Sequence, residues 1–128
     1  MKVTANGIHI SYELAGPVLA PVVTLSHSLA TDLSMWDPQM KALTEKYHVL
    51  RYDMRGHGGT DVSEGPYSLE GLTADVHALL VALGIKQTHF IGLSIGGMIA
   101  QLFAVGFRTC HPEIRFSSLQ YRAVAGVQ

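Results

Sequence analysis

The sequence predicts an α/β fold in which a mostly parallel, doubly wound sheet follows an N-terminal antiparallel hairpin, and three features of the chain point to it. From residue 22 onward, short apolar runs alternate with stretches of helical spacing, the order that right-handed crossovers produce. The run Val22-Val23-Thr24-Leu25 is continuous and β-branched, the composition of a strand covered on both faces. The stretch from Phe90 to Ala100 reads as strand, sharp turn and helix in immediate succession.

The elements follow in chain order. Val3 to Ala5 and Ile8 to Leu14 flank Asn6-Gly7, and Ile8, Ile10, Tyr12 and Leu14 alternate with polar residues, which predicts a hairpin. Gly16-Pro17 and Pro21 then break the chain before the first parallel strand, Val22 to Leu25. Asp37-Pro38 supplies a predicted N-cap and a first-turn proline, and Trp36, Met40, Leu43 and Tyr47 recur at helical spacing. His48 to Tyr52 is the next predicted strand, followed by the glycine-punctuated loop Arg55 to Asp61. Ser68 is placed to cap a helix whose apolar stripe is Leu69, Leu72, Val76, Leu79, Leu80 and Leu83, with Tyr67 as a staple onto Leu72 and Gly84 as its stop. Thr88 to Leu93 is the strand that leads into the sharp turn. In such sheets ligands bind beyond the carboxyl ends of the strands, where Ser94 would lie.

Composition sets the outer bounds. With 128 residues, 48% of them hydrophobic, 15% charged and a net charge of −1, the chain reads as one soluble globular domain over residues 1–128, short for this fold class. That charge balance suggests no nucleic-acid partner. Cys110 is the single cysteine, and no apolar stretch has the length of a signal or a membrane span, so a cytoplasmic, reducing setting is expected. The seven histidines show no metal-ligand spacing, and neither a metal nor a cofactor is expected. The methionines and the leucine stripe read as core, and Cys110 has no activating partner in the sequence.

The chemistry is concentrated in Gly92-Leu93-Ser94-Ile95-Gly96. A G-x-S-x-G turn between strand and helix is tight enough to force the serine into a strained backbone conformation, and the glycines at 92 and 96 make that turn sterically possible. Ser94 would project its hydroxyl above the strand end, while the amide of Ile95, opening the next helix, could donate to a developing oxyanion. A phosphate-binding turn is the competing reading. The spacing is not G-x-G-x-x-G and no Gly-Lys-Ser/Thr follows, which argues against a nucleotide site. The loop His27-Ser28-Leu29 follows the first parallel strand, and the amide of Leu29 is the second candidate donor. His27 reads as a loop histidine bonded to a nearby carbonyl in preference to a catalytic group. Asp53 and Asp61 precede the serine and lie in or beside the glycine-rich loop, where turn roles are favoured over the acid of a triad; His57 is read as a loop residue in the same way.

Taken together, His27-Ser28-Leu29, Asp53-Met54-Arg55-Gly56-His57-Gly58 and Gly92-Leu93-Ser94-Ile95-Gly96-Gly97-Met98 resemble the α/β-hydrolase superfamily, most closely the 3-oxoadipate enol-lactonases and related esterases. The resemblance covers about residues 7 to 103. It implies a cofactor-free serine hydrolase in which Ser94 is the nucleophile, Ile95 and Leu29 supply the oxyanion amides, and Asp53, Arg55 and Gly58 shape a structural loop. It also implies the order nucleophile, acid, histidine along the chain, and here the expectation departs from the pattern. After Ser94 the only histidine is His111 and the only acid Glu113, two residues apart and in the wrong order. His111-Pro112-Glu113 resembles an ordinary helix-to-strand corner of the family, and residues 105–128 form an atypical tail in which Ser117, Ser118, Gln120, Tyr121 and Arg122 interrupt the apolar pattern.

Two functions are therefore expected to compete. One is a weak serine hydrolase of carboxylic esters or enol-lactones, working through an acyl-enzyme on Ser94, with His111 as first and His27 as second candidate base. The other is a catalytically incomplete half-domain serving as an oligomeric or interaction module, the remnant of a truncated fold. The expected partners are a small ester or lactone and further copies of the chain, because the last strand of a sheet cut after about six strands is left open.

Overall fold

The computed structural model describes residues 1–107 of the 128-residue chain. Five strands form one mixed, open sheet in the order β1-β2-β4-β3-β5. β1 (Lys2–Ala5) and β2 (Ile8–Ala15) make the predicted hairpin, with Ala5 opposite Ile8 and positive φ at both Asn6 and Gly7, as a two-residue turn of this twist requires. β2 then pairs antiparallel with β4 (His48–Tyr52), while β3 (Val22–Ser26) runs parallel to both β4 and β5 (His89–Gly92).

Alternation along the central strands decides which helix covers which face. Val23, Leu25 and Val49 point to the side of α1 (Asp37–Thr44), where Trp36 is buried and Met40, Leu43, Tyr47 and Ile91 close the layer. Leu50, Tyr52 and Phe90 point to the other side, onto α2 (Leu69–Ala82) and α3 (Ile95–Leu102). There Leu72, Val76, Leu79 and Leu80 of the predicted stripe are buried, each worth about 1.5–3 kcal/mol of burial. Ser68 caps α2 by accepting from the amide of Gly71. Tyr67 is exposed, and its hydroxyl donates to the carbonyl of Ser63.

The start of α1 differs from the expectation. Asp37 has helical angles (φ −48°, ψ −44°) and is the first residue of the helix, with Pro38 behind it. A 3-10 turn, Leu33–Trp36, precedes it, and Asp32 caps that turn by accepting from the amide of Ser34. The Asp37 side chain is turned to Arg51 of β4, which also meets Glu13 of β2 at 2.9 Å. An ion pair to the neighbouring strand has displaced the cap.

This topology fixes where a site can form. After β3 the chain leaves toward α1 on one face; after β5 it leaves toward α3 on the other. β3 and β5 are neighbours, so their carboxyl ends lie together at the point where the winding reverses, the place where ligands bind in sheets of this kind. α3 passes at residue 103 into a π-helical turn, Phe103–Phe107. The tail from 108 onward, with Cys110, His111, Glu113 and the interrupted run 116–127, lies outside the described residues.

Candidate active site

Ser94 stands at the reversal point between β5 and α3. Its backbone has φ 56° and ψ −118°, outside every region a residue with a side chain favours, a cost of about 1–3 kcal/mol that only a strongly determined turn retains. The residue is exposed to solvent, whereas Gly92, Gly96 and Gly97 around it are buried. A Cβ on Gly96 would overlap the carbonyl oxygens of Ser26 and His27, and one on Gly92 would overlap the backbone of Gly96 and Gly97. The turn is thus pressed against the exit of β3, where the amide of Leu93 bonds the carbonyl of Ser26 at 3.2 Å. Ile95 contributes the first amide of α3, one of those a helix leaves without an internal partner. Among the described residues, none makes a hydrogen bond to Ser94 Oγ.

The loop after β3 forms the other wall. Ser28 lies against the sulfur of Met35, its amide 3.3 Å away, Leu29 is 63% exposed, and Ala30 takes the left-handed conformation at φ 61°. His27 is fully buried. Its Nε2 accepts from the amide of Met54 at 2.9 Å and its Nδ1 lies 2.7 Å from the carbonyl of Ser28, so both ring nitrogens are engaged. Burial is the main cause that pushes the His27 pKa down, which matches a neutral ring accepting at Nε2. His57 likewise uses both nitrogens, toward the amide of Ala30 and the carbonyl of Arg55.

The glycine-rich loop after β4 is held by carboxylates. Asp53, buried, accepts from the amides of Leu33 (2.7 Å) and Gly59 (2.9 Å), and a Cβ at Gly58 would run into its carboxylate. Asp61 accepts from the amide and Nδ1 of His9, which ties the loop to the N-terminal hairpin and holds its carboxyl below the usual range. Arg55 forms a two-pronged pair with Asp75 of α2, at 2.9 and 2.7 Å, and Asn6 adds a third donor at 2.8 Å. The Arg55–Asp75 pair and the tether from His57 to Ala30 were not legible in the sequence, because each links segments distant along the chain. His111 lies outside the described residues. Among the described residues no group of three or more His, Cys, Asp or Glu is placed to hold a metal ion, and no helix is long and apolar enough to cross a membrane.

A profile of the α/β hydrolase fold family matches residues 21–112, well over half of the chain. The chain belongs to the α/β-hydrolase family. It is 44% identical over 100 residues to 3-oxoadipate enol-lactonase 1 of Acinetobacter baylyi, an alignment spanning 78% of this chain and 37% of that protein. The crystal structure of the enol-lactonase from Burkholderia xenovorans LB400 superposes with a TM-score of 0.78 at 43% identity, over 88% of this chain and 43% of the other. Epoxide hydrolase 4 of Mus musculus is 32% identical over 116 residues, 89% of this chain and 31% of that relative. The chain thus spans less than half the length of each of these relatives.

Proposed function

We propose that this α/β-hydrolase chain acts on carboxylic esters or enol-lactones by acyl transfer to Ser94, with weak turnover. The observation that carries the reading is the conformation of Ser94: an exposed hydroxyl on a strained turn at the carboxyl end of β5, beside the amide that opens α3. In the mechanism, Ser94 Oγ attacks the carbonyl carbon and the amides of Ile95 and Leu29 receive the negative charge that develops on its oxygen. The C–O bond then breaks, the alkoxide or enolate leaves and the Ser94 proton passes through solvent to the leaving oxygen; water next adds to the acyl-enzyme, releasing the acid and returning a proton to Ser94 Oγ. The likeness to two enol-lactonases favours an ester-type bond over the epoxide of the more distant relative.

The proton relay is the weak link. His27 and His57 have both ring nitrogens engaged by the loops, which argues against His27 as a base and favours His111 as the candidate. A site with an oxyanion hole but without a relay retains roughly 10³ to 10⁴ over water in serine proteases. The chain should therefore hydrolyse p-nitrophenyl acetate, whose leaving group departs unprotonated, and act poorly on unactivated alkyl esters. Ser94→Ala should abolish the p-nitrophenyl acetate activity. Equal turnover by the variant would reject the mechanism. The second reading, an incomplete half-domain that serves assembly, is favoured by the absence, among the described residues, of any hydrogen bond to Ser94 Oγ, and it predicts no Ser94-dependent turnover at all.

A further inference from the structure

Behind the loops that flank Ser94, two histidine rings meet with their centroids 5.1 Å apart and their planes tilted by 54°. One comes from the exit of β3 and the other from the exit of β4, and each reaches across to the other loop. His27 accepts at Nε2 from the amide of Met54 (2.9 Å), and His57 accepts at Nε2 from the amide of Ala30 (3.2 Å). Their Nδ1 atoms face the carbonyls of Ser28 (2.7 Å) and Arg55 (3.0 Å), each on the ring's own loop. An imidazole nitrogen that accepts carries no proton, so both rings are neutral and protonated at Nδ1. The arrangement is reciprocal: the histidine of each loop holds a backbone amide of the other.

The Ala30 amide is a consequential one to hold. Ala30 has φ 61°, a conformation uncommon for a residue with a Cβ, and it follows directly on Leu29, whose amide is the second oxyanion donor of the acyl-transfer reading. We infer that His57 is a positioning residue for that reaction: by accepting the Ala30 amide, in a reciprocal clamp with His27, it fixes the backbone that presents the Leu29 amide beside Ser94. This inference rests on the function proposed above, and no part of His57 touches substrate.

The clamp works only with neutral rings. Protonation at His27 Nε2 turns an acceptor into a donor that faces the Met54 N–H, so acid opens that half. His27 and His57 face one another, Asp53 is engaged by the amides of Leu33 and Gly59, Asp32 is engaged by Ser34, and the Arg55 guanidinium is turned away to Asp75. Burial, with the neighbouring ring in the same direction, pushes the His27 pKa down against the opposing pull of the Ser28 carbonyl and of Asp53 and Asp32.

The decisive experiment is nuclear magnetic resonance on the whole chain labelled with heavy nitrogen, near neutral pH. A through-hydrogen-bond coupling between the Ala30 amide nitrogen and His57 Nε2 is expected, a second between Met54 and His27, and the shift of an unprotonated nitrogen at both Nε2 atoms. His57→Leu should raise Ala30 amide exchange about tenfold or more relative to the amides of α2, the mark of a local opening. The same variant should lower kcat on p-nitrophenyl acetate on the order of a hundredfold with KM little changed, the cost of a donor misplaced by about 1 Å. His57→Gln, whose side-chain oxygen can accept, should recover part of both. A proton on His57 Nε2 in the wild type overturns the inference, as does a His57→Leu chain with unchanged Ala30 exchange and kcat. If the wild type cleaves no ester, the acyl-transfer reading falls, while the coupling and the exchange still decide the clamp.

Discussion

Gly96→Ala tests whether the turn at Ser94 depends on contact with β3. The new methyl group would overlap two backbone oxygens, those of Ser26 and His27, at the end of a strand paired on both sides. Neither oxygen can swing away as the tip of a long side chain would, so β3 and α3 must separate. Overpacking of this kind costs about 1–3 kcal/mol, and the upper end applies where backbone meets backbone. Alanine recovers about 1 kcal/mol of helix propensity over glycine, which leaves a net loss of about 2 kcal/mol. In urea the midpoint should fall at unchanged slope, and the melting temperature should drop by about 10 °C. Gly84→Ala is the control: it has φ +70° with nothing within 4 Å of the added group, so it pays only the left-handed cost of about 1–2 kcal/mol, far from Ser94. The two variants are therefore separated by reactivity more than by stability. Gly96→Ala should lose ester hydrolysis and Gly84→Ala should keep it. A Gly96→Ala chain within 0.5 kcal/mol of the wild type (about the noise of a surface substitution) and with wild-type hydrolysis would refute the close-approach reasoning.

Three further outcomes follow from the same structure. Asp75→Ala should cost about 3 kcal/mol in urea unfolding, because it leaves the Arg55 guanidinium, with 21% of its side chain exposed, without its buried partner; Asp75→Asn should cost less, since an acceptor remains. For His27 the folded pKa is depressed below the unfolded value of about 6.5, so the unfolded chain binds the proton first and stability should fall as pH drops through about 6.5; a urea midpoint insensitive to pH there would contradict it. The lowered Asp32 and Asp61 carboxyls act in a separate window, their contribution being lost only below about pH 4. Among the described residues β5 has one paired and one open edge, which suggests dimers or larger assemblies in light scattering at micromolar concentration; a well-behaved monomer would contradict that.

The elements were legible wherever local chemistry determines them. Asn6-Gly7 specified its hairpin, the β-branched runs specified β3 and β4, and Ser68 with the stripe down to Leu80 specified α2, each to within a residue or two of the observed bounds. The turn at Ser94 was legible for the same reason, because glycines at 92 and 96 have one steric use there. Asp37 was misread because Arg51, an adjacent-strand residue 14 positions away, claims its carboxylate, and capping passed to Asp32. His57 and Arg55 stood in a motif that marked a loop without saying what the loop holds. Their partners, Ala30 and Asp75, lie 27 and 20 residues away; the first is brought close by β4 lying beside β3, the second by α2 packing on the sheet.

The central claim is that Ser94 is the nucleophile, its attack assisted by the oxyanion amides of Ile95 and Leu29. It is tested most directly by treating the folded chain with a fluorophosphonate and locating the adduct by mass spectrometry, since such reagents report on serines whose attack is assisted. A single adduct on the peptide that carries Ser94, absent from Ser94→Ala and lost on unfolding in urea, is the predicted result. An unmodified folded chain, or an adduct that persists in Ser94→Ala, would contradict it.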